Sequence, residues 1–208
     1  GLAFLSYYPG RIFFLLPLVF LFLYSSKKSI KKNILIFISI VLLVASPLLI
    51  YLASYKDARI KEQLFLTDRK LDLKKKLSYF GKNIVKITLM FNLEGDLNGR
   101  HNYPGKAIFN PVVGAFFLLG FLVTILHLKN FYNQFFLVYF ILSLIPAIFT
   151  YPVENPNSLR TYTAILPSTY FVGNGITYLL QSEQKSKSLF FIVGIILIIL
   201  FTLSSLYD

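Results

Sequence analysis

Cysteine is missing from this chain of 208 residues. Its absence excludes a disulfide framework and any thiolate metal site. The two histidines, His101 and His127, are too few for a histidine-rich metal cluster. No phosphate-binding loop, nucleophile motif or metal-ligand spacing occurs either. Charge is scarce: 14% of the residues are charged, against roughly 25% in a soluble globular domain. The deficit is uneven, because the charges gather in short stretches separated by long apolar runs. No internal repeat is visible, nor any low-complexity segment beyond the apolar runs. Acid is scarcer than base, nine residues against 21, for a net charge of +12. Such a surplus can mark a nucleic-acid partner. Here the basic residues flank apolar spans, where membrane proteins put them, so nucleic acid is not expected.

What the chain has in abundance is apolar length. Hydrophobic residues make up 56% of it and the mean hydropathy is +0.65. A helix crossing the hydrocarbon core needs about 20 mostly apolar residues. Runs of that kind occur at Leu2 to Tyr24, Ile34 to Tyr55, Pro111 to Leu128, Phe131 to Phe149, Thr161 to Leu180 and Leu189 to Leu206. Tyrosines near many of the ends (Tyr7, Tyr24, Tyr55, Tyr132, Tyr151, Tyr162, Tyr207) fit an interfacial belt. The sequence therefore predicts an all-α fold: one polytopic transmembrane bundle of about six spans over residues 1–208. Residues 56–110 form a long extracytoplasmic loop within it. The chain opens at Gly1 inside an apolar run, with no signal-peptide pattern. The expectation is the C-terminal part of a larger protein in a cell membrane, most simply a bacterial inner membrane.

Orientation follows from the short loops. Ser25 to Asn33 carries Lys27, Lys28, Lys31 and Lys32 with no acid, and the segments at Lys129 and at Lys185 and Lys187 are net positive. Alternation puts all three on one side, assigned to the cytoplasm. The Glu154–Arg160 loop and the long 56–110 loop then face outward. Within the long loop Leu73, Leu77, Phe80, Ile84, Ile87 and Phe91 recur at helical spacing. Lys75, Lys82 and Lys86 fall opposite. This pattern predicts a basic amphipathic helix in the membrane interface. It would either anchor the loop to anionic lipid or frame a site for a lipid-linked phosphate.

Four outward basic residues are candidates for binding. Arg11 interrupts an apolar run, as either a snorkelling anchor or an anion contact with its planar donor fork. Arg100 and His101 close a turn-rich stretch, Met90 to Gly105, that also carries Glu94 and Asp96. Arg160 stands where the fifth span begins. Several such groups around one cavity fit an anionic lipid headgroup. His127 falls on the opposite side, so a two-histidine metal site is not expected.

The order of these features resembles a known family. It comprises the Tyr8-Pro9-Gly10-Arg11 helix start, the lysine-rich turn, and Met90-Phe91-Asn92 with Gly95-Asp96, Asn98 and Arg100-His101-Asn102. Pro104-Gly105, Asn110-Pro111 and Leu159-Arg160-Thr161 with Pro167 complete it. The pattern is similar to the C-terminal half of bacterial GT-C glycosyltransferases, the group of the protein O-mannosyltransferases and aminoarabinose transferases. The resemblance implies transfer of a sugar from a polyprenyl-phosphate carrier to an acceptor at the outer membrane face. It implies that Arg11, Arg100, His101 and Arg160 surround the donor phosphate. The family's catalytic aspartate lies in a first outer loop that this sequence does not contain, so no catalytic residue is carried over. Asp96 is not given that role, and the chain alone is expected to be inactive. Two other classes compete: a transporter or flippase for lipid-linked sugars, and a non-catalytic membrane subunit of envelope assembly.

Overall fold

The computed structural model describes residues 8–25, 29–54, 63–101, 103–182, 194–196 and 198–204. Among them the architecture is all-helical, and β-pairing is limited to an isolated bridge between Leu64 and Thr150. After a helical turn at Tyr8–Arg11 and a 3-10 turn at Ile12–Phe14 come α1 (Leu15–Tyr24) and α2 (Ile30–Ser54). They are followed by α3 (Leu73–Met90), α4 (Pro111–Leu126), α5 (Phe131–Ile148) and α6 (Ile165–Ser182). Two of these, α2 and α5, are long and apolar enough to cross a membrane. The Ile12–Tyr24 segment and α4 are apolar but shorter. In the first expected span, residues 2–7 lie outside the described residues; parts of the last, Leu189 to Leu206, do too.

The expected fifth span, Thr161 to Leu180, is divided. Its start is a helical turn, Ser158–Thr161, followed by a 3-10 turn, Tyr162–Ala164, before α6 begins. Pro167 sits in the first turn of α6, where its missing N–H costs no intrahelical bond. Side-chain caps start three of the other helices. Asp72, Asn110 and Asn130 each accept a backbone N–H of the first turn of α3, α4 and α5.

The tightest packing is between α4 and α6. A Cβ placed on Gly120 would lie 1.6 Å from the Phe171 carbonyl oxygen, and one on Gly175 2.4 Å from that of Phe116. The two backbones therefore touch, which only glycine permits. Around this crossing Phe91, Phe117, Phe140 and Phe171 form a buried aromatic core, with Phe117 5.3 Å from Phe91 and 6.0 Å from Phe171 by ring centroid. One end of the crossing is held by polar groups. Tyr170 donates to Asn133 Oδ1 (2.6 Å), and Asn174 donates to the same oxygen (3.2 Å) and to Thr124 (3.0 Å).

The apolar positions of α3 divide between two surroundings. Ile87 and Phe91 are buried against the protein, whereas Leu73, Leu77 and Ile84 are exposed. The face turned to the protein is centred on a polar residue, Asn83, which is fully buried. Its amide donates to the carbonyls of Ile148 (2.8 Å) and Thr150 (2.6 Å). These acceptors lie where α5 ends and its last carbonyls lack intrahelical donors. Satisfying them outweighs burying every leucine, because an unpaired buried carbonyl costs about 1–3 kcal/mol. Lys86 belongs to the same arrangement, donating to the carbonyls of Pro152 and Asn155 rather than pointing into solvent.

The segment before α3 is tied to the segment after α5. Tyr151 donates its hydroxyl to Asp68 Oδ2 at 2.6 Å. That bond, with the Lys70 amide, holds the Asp68 carboxyl below its ordinary value. The same bond first, then desolvation, pushes the Tyr151 phenol up to about 12.

Two expectations follow from this packing. Gly120→Ala should destabilise the detergent-solubilised protein by about 1–3 kcal/mol or more, since the helices must part. Gly173→Ala, where the added methyl meets nothing within 4 Å, should be neutral or stabilising by about 0.5–1 kcal/mol. Equal melting of the two variants would refute backbone contact at Gly120. The Tyr151–Asp68 contribution should be complete below the ordinary tyrosine value of about 10 and lost as pH rises through about 12. On the acid side it should be present above the ordinary aspartate value and lost as pH falls through the lowered Asp68 value. Titration of tyrosinate absorbance checks the alkaline limb: Asp68→Asn should move one late step to lower pH. An unchanged curve would contradict the pairing.

Candidate functional site

The site begins with how the sequence folds the stretch between α3 and α4. Phe109 N–H donates to the Phe91 carbonyl (2.9 Å) and Ile108 N–H to that of Met90 (3.0 Å), so the stretch leaves and returns at one point. Further out, Gly95 N–H bonds the Gly105 carbonyl and Gly105 N–H bonds that of Asp96. Gly105 has φ +78°, the left-handed region that favours glycine. Inside this closed loop, polar side chains replace regular structure. Asn98 N–H donates to Asp96 Oδ1 (2.8 Å) and Arg100 N–H to Asn98 Oδ1 (3.1 Å). These are local turns of the kind Asp and Asn favour.

Asp96 is the organising group. It is buried, and its carboxylate accepts three N–H donors. Besides Asn98, Oδ2 accepts from His101 Nδ1 (2.8 Å) and from the Ser158 backbone N–H (2.8 Å). The last bond latches the loop to the turn Ser158–Thr161, 62 residues further along the chain. A carboxylate with three donors is spent on structure. It also fixes the His101 ring. An ionised carboxylate only accepts, so Nδ1 carries the hydrogen and Nε2 is the free edge.

Arg100 and His101 line a cavity of about 400 Å³ between this loop and the start of α6. Apolar and aromatic walls come from Phe91, Ile108, Phe109, Leu159, Tyr162 and Ile165. Ser158 and Ser168 are also among the lining residues, and the hydroxyl oxygen of each is buried without a hydrogen-bond partner among the described residues. Sequence reasoning missed these serines. The available signal was a serine, Ser168, within the otherwise apolar start of the fifth run, since a polar residue at that depth usually has a partner to meet.

The other two candidates are at the same end of the bundle but are not in the cavity wall. Arg160 pairs with Glu154, which leaves the short loop between α5 and α6 electrically neutral. Its other terminal nitrogen, Nη1, is buried without a hydrogen-bond partner. Arg11 belongs to the turn Tyr8–Arg11, which packs against α5 and against the turn Ser158–Thr161. His127 lies at the opposite end of α4, in a separate cavity of about 720 Å³ with Lys129 and Asn174. Thus the structure gathers Arg11, Arg100, His101 and Arg160 at one end, and brings Arg100 and His101 together. Among the described residues no three His, Asp or Glu side chains are grouped to hold a metal ion.

A guanidinium, an imidazole edge and two vacant hydroxyls above aromatic walls suit an anion that carries an apolar substituent. Each hydrogen bond from a charged donor would contribute about 1.5–3 kcal/mol. The latch itself is testable without a ligand. Asp96→Asn keeps the shape but loses charge and acceptor capacity, so the loop should open locally. Amide exchange at 95–105 should accelerate roughly tenfold to a hundredfold, the factor that 1.5–3 kcal/mol implies. Exchange as slow as in the unaltered chain would show that the three bonds to Asp96 do not hold the loop. Comparisons with family models, with curated proteins and with solved structures found no match for this chain.

Proposed function

We propose that this chain is part of a membrane glycosyltransferase that takes a sugar from a polyprenyl-phosphate carrier at the outer face of a cell membrane. It crosses that membrane about six times. The observation that carries the reading is the cavity at Arg100 and His101, with its vacant serine hydroxyls and aromatic walls. A polyprenyl phosphate has those two characters, an anion and an unsaturated hydrocarbon tail. As the carrier departs, negative charge grows on its phosphate. Donors already in place in a water-poor cavity stabilise such charge without reorganising. Arg100 is the main donor, His101 Nε2 the second, and Ser158 and Ser168 hydroxyls complete the set. Arg160 supports the site from behind through Glu154. The base that activates the acceptor is assigned to no residue of this sequence.

The membrane setting is supported by α2. It extends about 37 Å at 1.5 Å per residue and buries only Ala45 against the rest of the protein. Leu35, Leu43 and Ile50 are each at least two-thirds exposed. Water would not tolerate such a helix, whereas hydrocarbon would. The lysines at Lys31, Lys32 and Lys129 gather at the end away from the cavity, as the positive-inside rule asks of a cytoplasmic side.

Topology is checked by single cysteines in this cysteine-free chain. Tyr103→Cys should react with a membrane-impermeant thiol reagent added outside, and Lys31→Cys should not. Reaction of both from outside would overturn the outer position of the cavity. The donor site is checked by equilibrium binding of a polyprenyl-phosphate sugar to the protein in nanodiscs. Arg100→Lys keeps charge but loses the two-pronged donor geometry, and should weaken binding roughly tenfold to a hundredfold. Arg160→Lys should have a smaller effect. Saturable binding with the same affinity in Arg100→Lys would leave that arginine a surface anchor and remove the proposed site.

A further inference from the structure

Helix α3 turns three faces to three surroundings. Successive residues on a helix are about 100° apart, so the faces are set by position. Asn83, Ile87 and Met90 face the protein and are buried. About 90° round from them runs the stripe of Leu73, Leu77 and Ile84, exposed by 73%, 62% and 40%. Lys75 and Lys82 lie about 100° in the other direction, and Lys74 borders the stripe on its open side. None of these three lysines has an acidic partner among the described residues. The depth of α3 is set by Asn83, whose amide bonds the carbonyls at the end of α5, a helix long enough to cross a membrane. Protein on one side, an uncovered apolar stripe on the next, an unpaired lysine at the rim of the stripe and two more across the helix are what a helix at the edge of a bilayer requires.

We infer that this face of α3 is a docking surface for anionic phospholipid. Leu73, Leu77 and Ile84 enter the boundary between headgroups and acyl chains. Lys74, which borders the stripe, reaches lipid phosphates by extending its stem along the apolar surface, while Lys75 and Lys82, across the helix, stay on the water side. Charge complementarity selects the partner, since a lysine without an acidic partner at the rim of the stripe meets a surface of phosphates. The inference rests on the membrane reading above, and its consequence is that anionic lipid holds the segment before the cavity loop in place.

The test uses the whole chain in nanodiscs with a polarity-sensitive fluorophore on one introduced cysteine. Leu77→Cys reports the stripe, Leu73→Cys repeats it independently, and Leu43→Cys on α2 reports membrane insertion. In anionic lipid the probes at 77 and 73 should emit as in an apolar medium and be quenched by lipid-borne nitroxide. In zwitterionic lipid, or with Lys74→Glu, they should move toward water, with the shielded fraction's ratio to the exposed falling roughly fivefold for the reversed lysine. The probe at 43 should stay shielded throughout. Water exposure at 77 and 73 with shielding at 43 would overturn the docking surface alone. Shielding at 77 and 73 that ignores lipid charge and lysine reversal would overturn anionic lipid as the partner. Water exposure at all three would overturn the membrane reading, and this inference with it.

Discussion

The contact that the rest of the structure depends on is the crossing of α4 and α6 at Gly120 and Gly175. With no side chain at either position, two helix backbones meet directly. That approach fixes where Phe117 and Phe171 stand, and the aromatic core closes around them with Phe91 and Phe140. It also fixes the cavity. The wall residues Ala164, Ile165 and Ser168 come from the start of α6 and the turn before it, while Ile108 and Phe109 come from the approach to α4. If α4 and α6 were a side chain further apart, those two walls would separate. Interiors packed to crystal density transmit such a shift rather than absorb it.

A second principle runs through the molecule: polar side chains are placed where the backbone has groups to satisfy. Asn83 and Asn155 serve the carbonyls at the end of α5, the latter through Ala147. Asn110, Asn130 and Asn157 serve amides at helix starts. Asp96 serves the loop and, through Ser158, the turn beyond it. Buried atoms without a partner among the described residues include Oδ1 of Asn83 and of Asn155 as well as the hydroxyls of Ser158 and Ser168; the two serines are set apart by their place. They share one cavity with Arg100 and His101, which is why the cavity, and not the larger one at His127, carries the functional reading.

The sequence and the structure agree where periodicity is long and local. The helices α2, α4 and α5 fall within a few residues of the apolar runs that announced them, because length and hydropathy dominate there. The basic residues came to one end for the same reason, since alternation of spans decides the side. Disagreement begins where a distant partner decides. Nothing within α3 tells that Asn83 will meet the end of α5 some 65 residues later, so the apolar pattern alone does not show which side of the helix turns to the protein. Arg160 looked like an anion contact because its neighbour Glu154 was counted only as part of a neutral loop. Ser168 could be seen as a polar residue within the fifth run, but which residues it would meet was not legible until α6 brought it to the cavity with Arg100. The break before α6 was signalled by Asn157, a cap residue, and by Pro167, which belongs in a first turn.

The central claim is that the cavity at Arg100 and His101 receives the phosphate end of a polyprenyl carrier. It is tested most directly by photo-crosslinking in nanodiscs with a polyprenyl phosphate whose first isoprene unit carries a photoreactive group. Peptides are then mapped by mass spectrometry. The account requires adducts concentrated on Phe91, Phe109, Tyr162 and Ile165, removed by excess unmodified carrier and strongly reduced in Arg100→Lys. Adducts spread over the exposed faces of α2 and α5, unaffected by competitor, would mean that the carrier meets this protein only as bulk lipid, and would contradict the account.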